Sequence, residues 1–273
     1  MSAVIAVLGL GEAGSLIARD LAAAGAVVRG YDPAVPAPAG ITDTGSEADA
    51  ADGADLVLSV NSSKAAVGAL QEGLRGMRPG AAWADLNTAS PGVKTELAEI
   101  GRAHGIPVTD IAMMAPVPGK GLRVPMLASG EGAGEVARRL GALGASVEVL
   151  DGPAGLAATR KLLRSVFYKG MSTSIVEALE AARVVGYEDW LREHIAEELA
   201  KLDSATVDRV VTGTRQHAIR RGAEMEAAAE MLTELGVPPL MADASRAVHE
   251  RLAAAETRTP GSHGADAVPP KQI

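Results

Sequence analysis

The sequence predicts an α/β domain built on a doubly wound, mostly parallel sheet, followed by an all-α domain. Three observations carry this reading. Short apolar runs alternate with helical stretches through the N-terminal half. A glycine-rich turn, Gly9-Leu-Gly11-Glu-Ala-Gly14, directly follows the first apolar run and opens the first helix. No convincing strand pattern occurs after Gly155. Strands separated by helices imply a parallel sheet with helices on both faces.

The elements follow in order. Residues 3–8 form a buried-strand pattern, residues 14–24 a helix with Leu16, Ile17 and Leu21 on one side, and residues 27–31 a second strand. A loop with Pro33, Pro36 and Pro38 comes next. Ser46 and Asp49 are spaced as a capping box, which uses Glu or Gln in its standard form. Residues 55–60 read as a strand, 64–74 as a helix, Pro79-Gly80 as a turn and 81–86 as a strand. Ser90-Pro91 reads as an N-cap with proline at the first helical position, and that helix stops at His104-Gly105. Residues 106–110, 126–128 and 147–150 are further strands, with a helix near 131–143. From Leu156 to about Val185 the pattern is one long helix, roughly 45 Å at 1.5 Å per residue. Its apolar residues Leu162, Leu163, Val166, Phe167, Met171 and Ile175 predict that much of it is buried. Helices follow near 188–202, 203–212, 215–235 and 240–255, with a stop at Gly236 and Pro238-Pro239. Residues 257–273 are polar and aperiodic and read as a disordered tail. The expected organisation is therefore 1–155, 156–256 and a tail.

Composition narrows the function. The chain has 273 residues, 47% hydrophobic and 22% charged, an ordinary globular balance. It has no cysteine, which excludes disulfides, thiolate catalysis and Cys-ligated metal, and no metal site is assigned. The net charge of −8 disfavours nucleic-acid backbones, and aromatic residues at 2% leave no stacking platform for bases. No apolar run reaches the roughly 18 residues that span a bilayer, and no leader pattern precedes Val4. A soluble, cytoplasmic chain without membrane or nucleic-acid partners is expected.

Gly9, Gly11 and Gly14, with Leu10, Glu12 and Ala13 between them, suit a dinucleotide. The first glycine makes a tight turn, the second lets backbone approach a pyrophosphate, and the third lets helix and strand pack closely. Asp32 ends the second strand. A carboxylate there can bond ribose hydroxyls and repels a 2′-phosphate, so NAD is favoured over NADP. A glycine turn without a ligand, and Asp32 capping its own turn, are the plainer alternatives. Asn61-Ser62 and Asn87-Thr88 end the next two strands, where open parallel sheets bind ligands, and are candidates for the nicotinamide half. Ser90 capping its helix is compatible with this.

Lys161, Ser165, Tyr168 and Ser172 form one polar stripe on the long helix. A lysine facing a cleft can act as acid–base, with Tyr168 the weaker candidate; a solvated lysine is the alternative. His217, Arg220 and Arg221 are spaced to share a helix face that could hold an anion, or Arg220 could pair with Glu224.

With Ala115-Pro-Val-Pro-Gly-Lys-Gly121, these segments occur in the order found in a known family. The sequence resembles the β-hydroxyacid dehydrogenases, relatives of 6-phosphogluconate and 3-hydroxyisobutyrate dehydrogenases. Residues 220–225 and 235–239 resemble the branch with phosphogluconate-dehydrogenase-like C-terminal domains. The resemblance implies a Rossmann domain, a helical domain, a homodimer through the helices, and Lys161 as catalytic lysine. It places Thr88 near the nicotinamide ribose. Pro116, Val117, Lys120, which is new relative to the family, and Ser165 are candidate substrate contacts. The chain departs from the family where the loop serine is Pro118, and where its asparagine past the lysine is Arg164 or Ser165. Imine reductases share the architecture but generally lack the lysine. The expected activity is hydride transfer between NAD(P) and a hydroxy acid or related alcohol, with imine reduction or non-catalytic dinucleotide binding as alternatives.

Overall fold

The computed structural model describes residues 2–257. Two compact units divide the chain after Val166. The first contains β1 (Val4–Leu8), α1 (Glu12–Ala23), β2 (Val27–Tyr31), β3 (Thr42–Asp43), α2 (Glu47–Ala51), β4 (Leu56–Ser59) and α3 (Ala66–Gly73). It continues through β5 (Ala82–Asp85), α4 (Pro91–Ala103), β6 (Val108–Met113), β7 (Met126–Ser129), α5 (Ala133–Gly141) and β8 (Val147–Val149). The strands form one sheet in the order β3-β2-β1-β4-β5-β6-β7-β8. All neighbours run parallel except β6 and β7. The β6–β7 connection, residues 114–125, carries no crossover α-helix, so the chain turns back rather than crossing over. β3 has only two residues, both exposed, and lies below what an apolar run can signal.

Both faces of the sheet are covered, as a parallel sheet requires. Along β1, Ile5 and Val7 pack into one apolar cluster with Ile17 and Leu21. Ala6 and Leu8 pack into the other with Leu70, Trp83 and Leu97. The two expected caps are present. Ser46 Oγ accepts from the Asp49 amide at 3.0 Å, and Ser90 Oγ from the Val93 amide at 3.4 Å.

A long helix, α6 (Leu156–Val184), begins in this unit and continues into the second. The second unit adds α7 (Glu188–Ala200), α8 (Thr206–Gln216), α9 (Ala218–Glu234) and α10 (Leu240–Thr257). Among the described residues it has no strand. Glu177 caps α10: its two oxygens accept from the Met241 and Ala242 amides at 2.8 and 2.9 Å.

The structure corrects two expectations here. Part of the α6 face read as buried is open: Leu163, Val166 and Phe167 are 66%, 76% and 65% exposed, because no described residues cover them, while Leu162, Met171 and Ile175 are half-buried. The break between α8 and α9 falls at His217, later than the sequence suggested. The expected tail lies outside the described residues. No described helix is long and apolar enough to cross a membrane.

Candidate active site

The glycine turn is built from two kinds of necessity. Gly9 has φ +96°, and a Cβ there would lie 2.6 Å from the Val60 carbonyl oxygen. A Cβ on Gly14 would lie 1.9 Å from the Gly9 carbonyl oxygen. Both glycines are demanded by packing. Gly11 is different: a Cβ there would meet nothing within 4 Å. Packing leaves this space open at the N-terminus of α1, whose first N–H groups have no intrahelical partner. A cradle that a side chain would fill, beside unpaired donors, fits a pyrophosphate.

Asp32 holds this turn from the end of β2. Its Oδ2 accepts from the Leu10 amide at 2.8 Å, and its Oδ1 from the Ala34 and Val35 amides at 2.8 and 3.0 Å. Turn capping is thus part of its role. Leu10 donates its N–H to Asp32 and buries its side chain in the core. Glu12 is exposed in the first turn of α1, and Ala13 packs partly against the core.

At the next strand end, Asn61 Oδ1 accepts from the Ser62 amide at 2.7 Å, and Ser62 Oγ from the Ala65 amide at 3.2 Å. Both side chains are exposed and shape their own turn. After β5, Asn87 is buried. Its Nδ2 donates to Ser59 Oγ at 2.9 Å and to Asp85 Oδ2 at 2.7 Å. Its amide nitrogen is thus engaged inside the protein.

Thr88, the next residue, is exposed, and Lys161 Nζ donates to its Oγ1 at 2.8 Å. Lys161 is half-buried on the second turn of α6. Asn87, Thr88, Ile111, Ala158, Lys161 and Leu162 line a tight crevice here. The structure thus brings together two residues 73 positions apart that the sequence nominated separately. Ser165 sits one turn further along α6, half-buried. Arg164, between them, donates from Nη1 to the Met114 carbonyl at 2.7 Å, just before the Ala115–Gly121 loop.

In that loop Pro116 and Lys120 are exposed, but Val117 is 5% exposed and belongs to the core. Val117 therefore packs its side chain inward rather than leaving it open like those of its neighbours. Its carbonyl accepts from the Lys120 and Gly121 amides at 2.9 and 2.8 Å, and the Leu122 amide donates to Asp20 of α1 at 2.8 Å. Such a turn needs an apolar plug, and Val117 supplies it.

The remaining candidates lie in the second unit. Tyr168 is 57% exposed and meets Phe167 edge-on. Arg220 pairs with Glu224, the plainer alternative, and Arg221 Nη1 donates to Thr214 Oγ1 at 2.8 Å. His217 leaves the helix face expected for it, with φ −116° at the α8–α9 junction.

Sequence reasoning assigned no role to a buried charge cluster beneath Thr88. Lys94 of α4, Asp85 and Asp110 are each at most 1% exposed. Lys94 Nζ lies 2.6 Å from Asp85 Oδ1 and 3.0 Å from Asp110 Oδ1. Lys94 shares the buried face of α4 with Leu97 and Gly101, a spacing of three and seven that could have marked it.

Comparison with known proteins agrees with this architecture. Residues 4–120 match the NAD binding domain of 6-phosphogluconate dehydrogenase, so the chain carries an NAD(P)-binding domain. Residues 182–252 match a domain of unknown function, DUF1932. No curated protein matches the chain. A conserved hypothetical protein from Sinorhizobium meliloti 1021 is 30% identical over 97% of this chain and 92% of its own, with a TM-score of 0.61. A conserved protein of unknown function, described as structurally similar to 3-hydroxyacid dehydrogenases, is 25% identical over 93% of this chain and 98% of its own, with a TM-score of 0.59. An imine reductase from Myxococcus stipitatus in complex with NADP+ shares the fold: TM-score 0.76, 19% identity, 92% of this chain and 94% of its own.

Proposed function

The chain belongs to the 6-phosphogluconate dehydrogenase-like family of β-hydroxyacid dehydrogenases, and from that premise we propose an NAD(P)-dependent oxidoreductase acting on a hydroxy acid or related alcohol. The observation that carries this reading is the Lys161–Thr88 contact at the C-terminal end of the sheet. The open space at Gly11 and the first N–H groups of α1 would hold the cofactor's pyrophosphate. When bound, the nicotinamide supplies or accepts a hydride.

The chain's own groups handle the proton. Lys161 Nζ takes it from the substrate hydroxyl in oxidation and returns it in reduction. Thr88 Oγ1 accepts a hydrogen bond from that amine and so fixes where the proton is exchanged. Lys120 and Arg164 place positive charge near the loop and favour an anionic substrate. Asp32 favours NAD through its charge, since its oxygens already hold three backbone amides. The exposed apolar residues of the second unit support a homodimer through the helices.

The fold shared with imine reductases favours imine reduction as second reading; an amine proton carrier favours the oxygen substrate. The test is a screen of hydroxy acids, their keto partners and cyclic imines, followed at the nicotinamide absorbance with both cofactors. On the substrate found, Lys161→Met is expected to lower turnover about 10²–10⁴-fold with cofactor affinity nearly unchanged. Lys161→Arg is expected to be poor as well, because guanidinium does not deprotonate in this range. Near-normal turnover by both variants overturns the role of Lys161. Cofactor binding without any turnover favours a dinucleotide-binding protein.

A further inference from the structure

Asp85 and Asp110 sit opposite each other on adjacent parallel strands. In-register neighbours in a parallel pair point to the same side of the sheet, about 4.8 Å apart. Two buried carboxylates so placed repel, and Lys94 enters between them from α4. One lysine leaves a surplus negative charge. That charge is met by the start of α6, where Asp110 Oδ2 accepts from the Gly155 and Ala158 amides at 3.1 and 2.8 Å. A helix N-terminus carries roughly half a positive charge, so the cluster is close to neutral. Ser129 Oγ accepts from the Ala157 amide at 3.0 Å and completes the cap.

The two arms of the cluster end at the two partners of the candidate site. One arm runs from Asp110 through Ala158 to Lys161, one helical turn further along α6. The other runs from Asp85 through the Asn87 amide to Thr88, the next residue. Lys94 is the only group in the cluster that contacts both carboxylates. We infer that Lys94 and Asp110 are positioning residues, which hold Lys161 Nζ against Thr88 Oγ1 by fixing the first turn of α6 to the end of β5.

This inference rests on the reading of Lys161 as proton carrier, but its test does not need the substrate. Formaldehyde and a borohydride label exposed amines, and mass spectrometry gives the rate at Lys161 relative to Lys169 and Lys201. An amine held against a hydroxyl reacts slowly. In Lys94→Met, labelling of Lys161 is expected to rise about 2- to 10-fold, the scale of one lost hydrogen bond. Thr88→Val, which removes the acceptor itself, is expected to give a similar rise. Asp110→Asn keeps the shape and an acceptor for the α6 amides but loses the charge, so it serves if Lys94→Met does not fold. A folded variant of either kind with unchanged Lys161 labelling, while Thr88→Val raises it, overturns the positioning role. That result leaves the reading of Lys161 standing, whereas full turnover by Lys161→Met removes the reading and leaves the geometry.

Discussion

The two compact units use their apolar residues differently. Before Val166, each long helix buries a face: α1 encloses Ile17, Ala18 and Leu21, and Trp83 is fully buried against Gly73, where a Cβ would lie 2.7 Å from the ring. After Val166, α7 buries none of its residues. Tyr187 and Trp190 are 63% and 62% exposed, and Trp190 stacks on His194 with ring centroids 5.7 Å apart. A sheet covered on both faces completes its core within one chain. Helices with apolar residues on several faces do not. The first unit therefore closes two apolar clusters across its sheet, whereas the second has one small cluster and carries apolar surface that the described residues leave open.

One pair of tryptophan variants breaks that comparison most sharply. Trp83→Ala is expected to cost about 3–5 kcal/mol, the scale for emptying a large core site, measured by denaturant unfolding. Trp190→Ala is expected to leave the far-ultraviolet circular dichroism unchanged and instead to lower the mass seen by light scattering at micromolar concentration. A monomeric wild type removes the homodimer, and equal destabilisation by both variants removes the contrast between units.

Within the first unit the glycines allow a finer comparison. Gly14→Ala forces a Cβ into the Gly9 carbonyl and is expected to lower the melting temperature. Gly11→Val meets open space and is expected to leave it unchanged. Its branched side chain fills the cradle, so NAD(P) binding, titrated by fluorescence, is expected to weaken about a hundredfold, roughly 3 kcal/mol. Unchanged affinity would show that the turn does not hold the pyrophosphate.

These contrasts also show what the sequence can transmit. Gly9, Gly11 and Gly14 were legible because each answers a local demand: a turn, an approach, a close packing. Lys161 and Thr88 were legible singly, one by its break in an apolar helix and one by its place at a strand end. Their contact was not, because it spans the fold. β7 was legible as a strand, but its antiparallel direction was not, because local pattern carries no strand direction. The burial of Val117 was not legible because a loop residue that plugs a turn looks like any other loop residue. Asp85, Asp110 and Lys94 received no role from the sequence. Only the register of β5 with β6 reveals that they answer one another.

The smallest expected effect concerns acid. In each unit one glutamate is held well below its usual 4.5. Hydrogen bonds from Arg138 and Arg139 bring Glu135 down to about 2. Those from Arg183 and Arg192 bring Glu188 down to about 2. A depressed carboxyl contributes stability that is present above its ordinary value and lost as pH falls from 4.5 towards 2. Both pairs are largely exposed, so neither contributes much. Their settings differ. Glu135 lies on α5, which also buries Val136 and Leu140 in the core, and losing its charge leaves that packing intact. Glu188 starts α7, which buries nothing, and its Arg183 partner lies on α6. Protonation of Glu188 therefore removes an ion pair that ties α6 to α7. Amide hydrogen exchange over residues 188–200 is expected to be faster in Glu188→Gln than in wild type at neutral pH, with the gap closing as pH falls towards 2. A gap of constant size across that range would mean that the ion pairs do not hold α7.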